Sequence, residues 1–324
     1  ERLRKMRPLS EKTALEESER IVRKLGDRYS RVLSPMQALK LSKYDVTGVG
    51  INLVIADSGE VKVGAVPPAD SDAAQAIQGE GSTVSLQLQP AAGGGDVRFV
   101  TLRKTFATRD PVSVHSIEAL DGARVGYIRL SEFNAQCKRR VQEAVERLKG
   151  EGASRLVLDL RGNGGGVLDG ALGIAGLFIE KPLVLYVTDA NNKMQPLYSR
   201  EKLQWSLPLQ VWVDAKTASS GEVLAGALRD NCRAKLVGKT TYGKGVIQGV
   251  FGLSDGGALV ETVASYSTPS GSQINRHGVK PDEDRFLISD VLGDSFIDSD
   301  LKTASFQLPT CVLPEPVVFP PPER

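Results

Sequence analysis

The chain has 324 residues, of which 41% are apolar and 25% are charged, and its formal net charge is only +2. This length and composition predict a globular protein of about two domains, each large enough to bury its own core. Because acidic and basic residues nearly cancel, bulk charge gives no reason to expect nucleic acid as a partner.

Cysteine and histidine are scarce in this sequence. Cys137, Cys232 and Cys311 lie far apart in no CxxC arrangement. They predict neither a disulfide framework nor a zinc site, and they allow at most one bridge. The two histidines, His115 and His277, are too few for a histidine-rich metal centre. We therefore expect no metal site and ordinary positions for both histidines.

Membrane and targeting signals are weak. No apolar run approaches the roughly 20 residues that a membrane span requires, so we expect no integral membrane segment. Residues 1–5 are mostly charged and lack the apolar core of a signal peptide. This pattern fits a mature chain whose targeting segment has been removed, and it fits a cytosolic protein equally well.

Residues 1–45 predict an N-terminal helical region. Leu15, Ile21, Val22 and Leu25 have the spacing of one helix face. Short helical pieces and turns are expected over residues 29–43. The region is interpreted as a small helical cap.

Residues 46–106 have the composition of a small β-rich module. Turn signals separate four apolar, strand-like runs, and a short helix is expected between the two pairs. The predicted strands are 47–55, 60–66, 83–88 and 97–102, and the predicted helix is 72–77.

This module resembles a PDZ domain of the kind found in processing proteases. Residues 48–51 stand where such a domain has its carboxylate-binding loop and strand. The resemblance implies that a peptide C-terminus binds at Gly48, Val49, Gly50 and Ile51. Some tens of residues expected near positions 71–72 are absent, so the module looks incomplete, and a purely structural β-module is the alternative.

Residues 107–308 predict an α/β domain. Strands alternate with helices, which is typical of a parallel or mixed sheet covered on its faces. We expect strands at 124–130, 155–160, 183–187, 209–213, 245–251 and 259–267, and helices at 137–148, 168–179 and 221–230. The tail, residues 309–324, is rich in proline and is predicted to be extended.

A serine and a lysine in this domain form a candidate catalytic pair. Ser219 lies among small residues in a strand-to-helix turn, and Lys244 follows twenty-five positions later beside two glycines. A lysine can take a serine proton when desolvation or nearby positive charge lowers its pKa. Gln248, four positions beyond Lys244, shares its face and can orient it. The pattern predicts a Ser/Lys hydrolase, although such residues taken singly are usually ordinary surface positions.

Two glycine-rich stretches invite different interpretations. Residues 164–166 are three glycines after a buried strand, and their N–H groups could form an oxyanion hole or simply a tight turn. Residues 238–245 match GxxxxGK but have glycine where a nucleotide-binding P-loop needs serine or threonine, and they lead into a strand. Nucleotide binding is therefore disfavoured.

Four segments, in this order along the chain, resemble the C-terminal processing peptidases, also called tail-specific proteases. These segments are residues 159–166, 217–231, 237–248 and 268–282. The similarity covers nearly the whole chain. It implies a crotonase-like α/β catalytic core with an inserted PDZ-like module and an N-terminal helical cap. It also implies a serine endopeptidase that cleaves C-terminal extensions from protein substrates without a cofactor.

The resemblance further implies roles for single residues. The spacing to Lys244 favours Ser219 over its neighbour Ser220 as the nucleophile. Lys244 would be the general base and Gln248 would hold it, while the N–H groups of Gly165 and Ser220 would bind the oxyanion.

Among members of this family, the motifs look most similar to the photosynthetic branch. That implies the chloroplast thylakoid lumen as location and the photosystem II reaction-centre precursor as substrate, with a bacterial periplasmic protein as the alternative. We expect a monomer. Two other classes remain open, namely a catalytically silent scaffold that binds peptide C-termini, and an acyl-CoA-type enzyme, which would have no use for Lys244 and Gln248.

Overall fold

A computed structural model of the chain describes residues 11–38, 110–180 and 183–308, Cys311, Leu313 and four strands between residues 53 and 103. The chain divides into two compact units. The larger unit consists of residues 1–33 and 110–324, and the smaller unit consists of residues 34–109.

The secondary structure is that of a mixed α/β protein. The described helices are α1 (Glu11–Arg23), α2 (Cys137–Gly150), α3 (Leu168–Phe178), α4 (Ser220–Asp230), α5 (Ile288–Leu292) and α6 (Ile297–Thr303). The described strands are β1 (Arg31–Leu33), β2 (Leu53–Ile55), β3 (Val61–Val63), β4 (Thr83–Leu88), β5 (Arg98–Arg103), β6 (Val112–Glu118), β7 (Arg124–Leu130), β8 (Arg155–Asp159), β9 (Leu183–Asp189), β10 (Met194–Tyr198), β11 (Leu209–Val213), β12 (Lys235–Gly238), β13 (Val246–Gly252), β14 (Ala258–Ser267) and β15 (Glu283–Asp284).

A six-stranded sheet forms the centre of the larger unit, with the order β15-β12-β11-β8-β7-β6. The strands from β15 to β7 pair in parallel, and only the edge strand β6 is antiparallel to its neighbour. Parallel neighbours need a crossover connection, and α2, α3 and α4 lie in these connections. The expected mixed sheet of alternating strands and helices is confirmed.

Each face of this sheet carries its own apolar cluster, because successive side chains of a strand point to opposite faces. Ile128 and Leu158 belong to the larger cluster, which includes residues of α2, α3 and α4. Tyr127 and Trp212 belong to the smaller cluster, together with Leu301 of α6. The sheet is thus buried on both faces, as parallel sheets generally are.

A second, antiparallel sheet has the order β1-β14-β9-β10, and β13 also pairs with β14. Its strand β1 lies where the sequence predicted helical pieces and turns, so that prediction is wrong for residues 31–33. Val32 and Leu33 are buried where β1 pairs with β14, and the Cα partner of Arg31 is Val260. Three residues are too few to show a strand period, and this pairing is formed with a distant segment.

The smaller unit contains two antiparallel strand pairs among its described residues. β2 pairs with β3 and β4 pairs with β5. The predicted strands 83–88 and 97–102 match the second pair within one residue. The predicted peptide-binding residues 48–51 and the predicted helix 72–77 lie outside the described residues.

One disulfide joins Cys232, just beyond α4, to Cys311. Cys137 is a buried free thiol, and burial raises its pKa to about 11. A single bridge agrees with the limit set by the cysteine count. Within the described residues, no helix is long and apolar enough to cross a membrane, and no cluster of metal-ligating side chains occurs.

Candidate active site

Ser219 lies at the turn between β11 and α4. Its φ of 55° is in the left-handed region, which non-glycine residues rarely adopt. Ser219 is partly exposed, whereas the adjacent Ser220 is buried and donates its Oγ hydrogen to the carbonyl of Gly166 at 2.8 Å. Of the two hydroxyls, that of Ser219 is therefore the one with access to a substrate.

The glycine turn lies directly against Ser219. A Cβ added to Gly165 would be 2.7 Å from the Ser219 Cβ, so only glycine fits there. The Gly165 N–H donates to Oδ1 of the buried Asn163 at 2.8 Å. Asn163 in turn donates to the carbonyl of Leu130 at 2.8 Å and accepts the N–H of Ala218 at its own carbonyl at 2.9 Å. The structure thus brings the predicted oxyanion turn to the predicted nucleophile, with the Gly165 N–H engaged by Asn163.

The carboxylate of Glu222 links the serine turn to the lysine turn. This side chain is fully buried in the first turn of α4. Its Oε2 accepts the backbone N–H of Ser219 at 2.9 Å and that of Lys244 at 2.8 Å. Its Oε1 accepts the Thr241 hydroxyl at 2.5 Å and the Gly243 N–H at 2.6 Å. One buried carboxylate therefore fixes both halves of the candidate pair.

The sequence analysis missed Glu222, although the signal was present. A glutamate three residues after a helix N-cap residue is the second half of a capping box, in which the carboxylate accepts the N-cap N–H. Here the N-cap residue is Ser219 itself. The additional bonds to the lysine turn involve distant residues, and no local pattern indicates them.

Lys244 is partly buried, and its pKa is lowered. Burial is the main cause, and the positive charge of Arg31 lowers the pKa further, while Glu222 acts in the opposite direction. The Lys244 Nζ lies 5.6 Å from the centroid of the Tyr29 ring. Among the hydrogen bonds of the described residues, none joins this nitrogen to Oγ of Ser219. Such bonds are often long or unformed when no substrate is bound.

Tyr266 on β14 makes a second link between the two halves. Its hydroxyl donates to the backbone carbonyl of Lys244, and the neighbouring Ser219 hydroxyl lowers the pKa of Tyr266. Burial raises the pKa of Tyr266 well above its usual value, so this hydroxyl stays protonated. No local pattern indicates Tyr266, because only the strand pairing brings it to the site.

Gln248 lies on β13 beyond Lys244. Its side-chain amide donates to the Thr262 hydroxyl at 3.3 Å, and Thr262 donates to the carboxylate of Asp27 at 2.6 Å. Within the described residues no hydrogen bond joins Gln248 to the Lys244 amine. The predicted role of Gln248 in holding the lysine stays a prediction.

A buried ion pair lies between β8 and the glycine turn. Arg161 bonds to the fully buried carboxylate of Asp159, and its other guanidinium nitrogen donates to Asp290 at 2.6 Å. Tyr127 donates to the same Asp159 carboxylate at 2.7 Å, and the Arg161 guanidinium lies 4.8 Å from the Trp212 ring centroid. These contacts fix the end of β8, from which residues 162–166 reach Ser219.

The two histidines take no part in this site. The His115 ring lies 3.1 Å from the carboxylate of Asp298, and the exposed His277 ring contacts the carbonyl of Asn275 at 2.8 Å. The arrangement of a partly exposed serine, a lysine of lowered pKa and a neighbouring glycine turn is able to perform acyl transfer.

Comparison with known proteins agrees with this geometry. The model of peptidase family S41 matches residues 124–285, which contain the serine, lysine and glycine turns. The chain is 37% identical over 292 residues to the chloroplastic carboxyl-terminal-processing peptidase 1 of Arabidopsis thaliana, covering 80% of this chain and 60% of that protein. It is 35% identical over 294 residues to a carboxyl-terminal-processing protease of Picosynechococcus, covering 80% and 70%. The chain therefore belongs to peptidase family S41.

A solved structure extends the likeness to the fold. The photosystem II D1 C-terminal processing protease has a TM-score of 0.64 and 27% identity to this chain, and the match covers 93% of this chain and 89% of that one. The mixed α/β fold is thus that of the S41 proteases. The chain spans about 60% of the length of the Arabidopsis relative.

Proposed function

We propose that this chain is a serine-type C-terminal processing peptidase that uses Ser219 and Lys244 as a catalytic dyad. One observation carries the proposal, namely that the same buried oxygen of Glu222 holds the backbone N–H groups of both residues. A catalytic pair needs a fixed relative position, and a shared buried acceptor provides it. The family relatives, which are carboxyl-terminal-processing peptidases, support the same activity.

The chemistry follows from the pKa and the position of these groups. Neutral Lys244 takes the Ser219 proton while Oγ attacks the scissile carbonyl carbon. The proton then passes to the leaving amine as the C–N bond breaks, which leaves an acyl-enzyme. Lys244 next takes a proton from water, the water oxygen attacks the ester, and the proton returns to Ser219. No step requires a cofactor.

The oxyanion would be bound by backbone donors. Ser220 is the first residue of α4, and the first N–H groups of a helix have no partner within the helix and favour negative charge. Gly165 would supply the second N–H after release from Asn163, which holds it at 2.8 Å. Gln248 would orient Lys244 from β13.

The proposed substrate is a protein with a C-terminal extension, such as the photosystem II reaction-centre precursor. The likeness to a D1 C-terminal processing protease and to chloroplastic and cyanobacterial relatives supports it. The thylakoid lumen is the proposed location, with a bacterial periplasm as the alternative. The Cys232–Cys311 bridge favours such compartments, because disulfides persist where the medium is oxidising.

We also infer the finer architecture from the family resemblance. The catalytic core would be crotonase-like, and the smaller unit would be a PDZ-like module in which Gly48, Val49, Gly50 and Ile51 bind the substrate carboxylate. The two antiparallel strand pairs of that unit support this inference. The protein would act as a monomer, with helix α1 (Glu11–Arg23) as its N-terminal cap.

Cleavage of a peptide that carries a reaction-centre C-terminal extension tests the proposal. Ser219→Ala and Lys244→Ala should each lose activity, while the exposed Ser206→Ala and Lys216→Ala serve as matched controls and keep it. A serine-directed fluorophosphonate should label the parent chain at Ser219. Full activity in Lys244→Ala would refute the dyad. Peptide binding without labelling or cleavage would instead identify a silent scaffold.

A further inference from the structure

The segment Asp27–Arg31 lies against the lysine turn in the larger unit. The Tyr29 ring centroid is 5.6 Å from Nζ of Lys244. The Arg28 guanidinium stands over two rings, 4.7 Å from the centroid of Tyr29 and 5.2 Å from that of Tyr242, a neighbour of Lys244 in the turn. A segment that precedes Lys244 by more than two hundred residues in sequence therefore lies on one side of the Lys244 amine.

This segment is fixed by hydrogen bonds. The Asp27 carboxylate accepts the Ser30 hydroxyl at 2.6 Å and its backbone N–H at 2.9 Å, and it accepts the hydroxyl of Thr262 on β14 at 2.6 Å. The Ser30 hydroxyl in turn accepts the Thr262 N–H at 3.1 Å. Although burial alone would raise the pKa of Asp27, the bonds from Ser30 and Thr262 hold it below its usual value. Tyr29 lies in the chain between Asp27 and Ser30, the two residues that these bonds hold, and shortly before strand β1.

β14 connects the segment to the catalytic turns. On one edge it pairs with β1, in which Arg31 is the Cα partner of Val260, and it also carries Tyr266, which donates to the Lys244 carbonyl and whose pKa is lowered by the Ser219 hydroxyl. The position of Tyr29 therefore depends on β14, the same strand that carries Tyr266 to the backbone of Lys244.

Several charged or titratable groups act on the Lys244 amine. Arg31 opposes its positive charge and Glu222 favours it. Tyr29 presents a ring, and the Tyr266 hydroxyl bonds to the lysine carbonyl. An ammonium is attracted to an aromatic face, and a lysine side chain is otherwise a flexible four-carbon stem. The ring thus restricts the amine to one region and excludes water from one side of it.

We propose that the segment Asp27–Arg31 is a third part of the active site and that Tyr29 is a positioning residue for Lys244. The effect of Tyr29 on catalysis rests on the proposed peptidase function, whereas the contact between Tyr29 and Lys244 does not depend on it. Tyr29 keeps the amine nitrogen close enough to Ser219 to take its proton once substrate enters.

The contact is testable without any activity. Reductive methylation with ¹³C-formaldehyde keeps lysine charge and gives each dimethylamine an NMR signal, and Lys244→Arg identifies the signal of Lys244. A nearby ring face shifts that signal upfield. Tyr29→Leu should abolish the shift, whereas Tyr29→Phe should keep it. A Lys244 signal that is unchanged in Tyr29→Leu would overturn the proposed contact.

Kinetics tests the positioning role on the same variants. Tyr29→Leu should lower kcat about tenfold or more with little change in KM, because a misplaced base affects the chemical step and not binding. Tyr29→Phe should retain the parent kcat, and the exposed Tyr198→Leu is the matched control. Faster cleavage by Tyr29→Leu, or equal losses in the Phe and Leu variants, would overturn the role.

If the parent chain cleaves no peptide, the peptidase function fails, and the NMR measurement still decides whether the Tyr29 ring contacts the Lys244 amine.

Discussion

The carboxylate of Glu222 accepts the backbone N–H of Lys244 at 2.8 Å, through the same oxygen that accepts the N–H of Ser219. The lysine turn is thereby attached to the first turn of the helix that begins beside the serine. Because the carboxylate is fully buried, water cannot replace these bonds without a large rearrangement. The relative position of the two candidate catalytic residues depends on this one side chain.

Glu222→Gln should therefore damage both stability and activity. An amide has one acceptor oxygen, and its NH2 group would face N–H donors that now point at a carboxylate. Leaving buried donors unsatisfied should lower the free energy of unfolding by about 3 kcal/mol and the kcat by about tenfold or more. Urea denaturation and peptide cleavage measure the two effects. The exposed Glu146→Gln should match the parent, and parental stability in Glu222→Gln would contradict the linking role.

Tyr266→Phe should slow the reaction while leaving the fold largely intact. The change removes only the hydroxyl that bonds to the Lys244 carbonyl and whose pKa the neighbouring Ser219 hydroxyl lowers. We expect a loss of about 1 kcal/mol in stability and a decrease of about tenfold in kcat, with KM nearly constant. The matched control is Tyr198→Phe, in which an exposed hydroxyl is removed. Equal kcat values in the two variants would exclude a positioning role for Tyr266.

Lys244→Met should raise the melting temperature at neutral pH. The folded state lowers the pKa of Lys244, chiefly by burial, so the charged form is less favourable in the folded chain than in the unfolded chain. This penalty is fully present below the folded pKa and vanishes as pH rises through it to the usual lysine value of about 10.4. The gain in Tm over the parent should accordingly shrink between pH 7 and pH 10. Lys216→Met should show neither effect.

Reduction of the Cys232–Cys311 bridge should destabilise the larger unit. The two cysteines are 79 residues apart in sequence, so the bridge restricts a long loop of the unfolded chain. Its loss should cost about 2–4 kcal/mol. Differential scanning calorimetry with and without dithiothreitol measures this, and Cys137→Ala should keep the response to reductant while Cys232→Ala with Cys311→Ala should lose it. A response that persists in the double variant would argue against the bridge.

The catalytic half of the fold was predictable because its elements are long and periodic. The strands over 124–130 and 209–213 match the structure at both ends, and helix α2 begins at the predicted Cys137. Elements with little local pattern were missed. These are the short strands β1, β10, β12 and β15 and the short helices α5 and α6, and the burial of residues such as Ile297 and Leu301 depends on contacts with distant parts of the chain. The seven-residue strand β6 was missed as well, although its valines alternate with polar residues.

The candidate site divides in the same way. Ser219 and Lys244 stand in turns with small residues and could be found locally. The capping role of Glu222 was indicated by a local pattern, but no local pattern indicated its bonds to the lysine turn. Tyr266 and Tyr29 reach the site only because β14 pairs with β1 and β13, and strand pairing between distant segments is not encoded in a local pattern.

Ser219 has a φ of 55° and lies against Gly165, and this conformation determines which substitution of Ser219 is suitable for trapping a substrate complex. Ser219→Gly would remove the hydroxyl and the Cβ, and because glycine adopts positive and negative φ about equally readily, the turn would no longer be restricted to its present conformation with φ of 55°. Ser219→Ala keeps the Cβ that lies beside Gly165 and hence the packing of the serine turn against the glycine turn. Ser219→Ala is therefore the better variant for crystallography with an uncleaved peptide, because it removes the nucleophile and retains the Cβ beside Gly165.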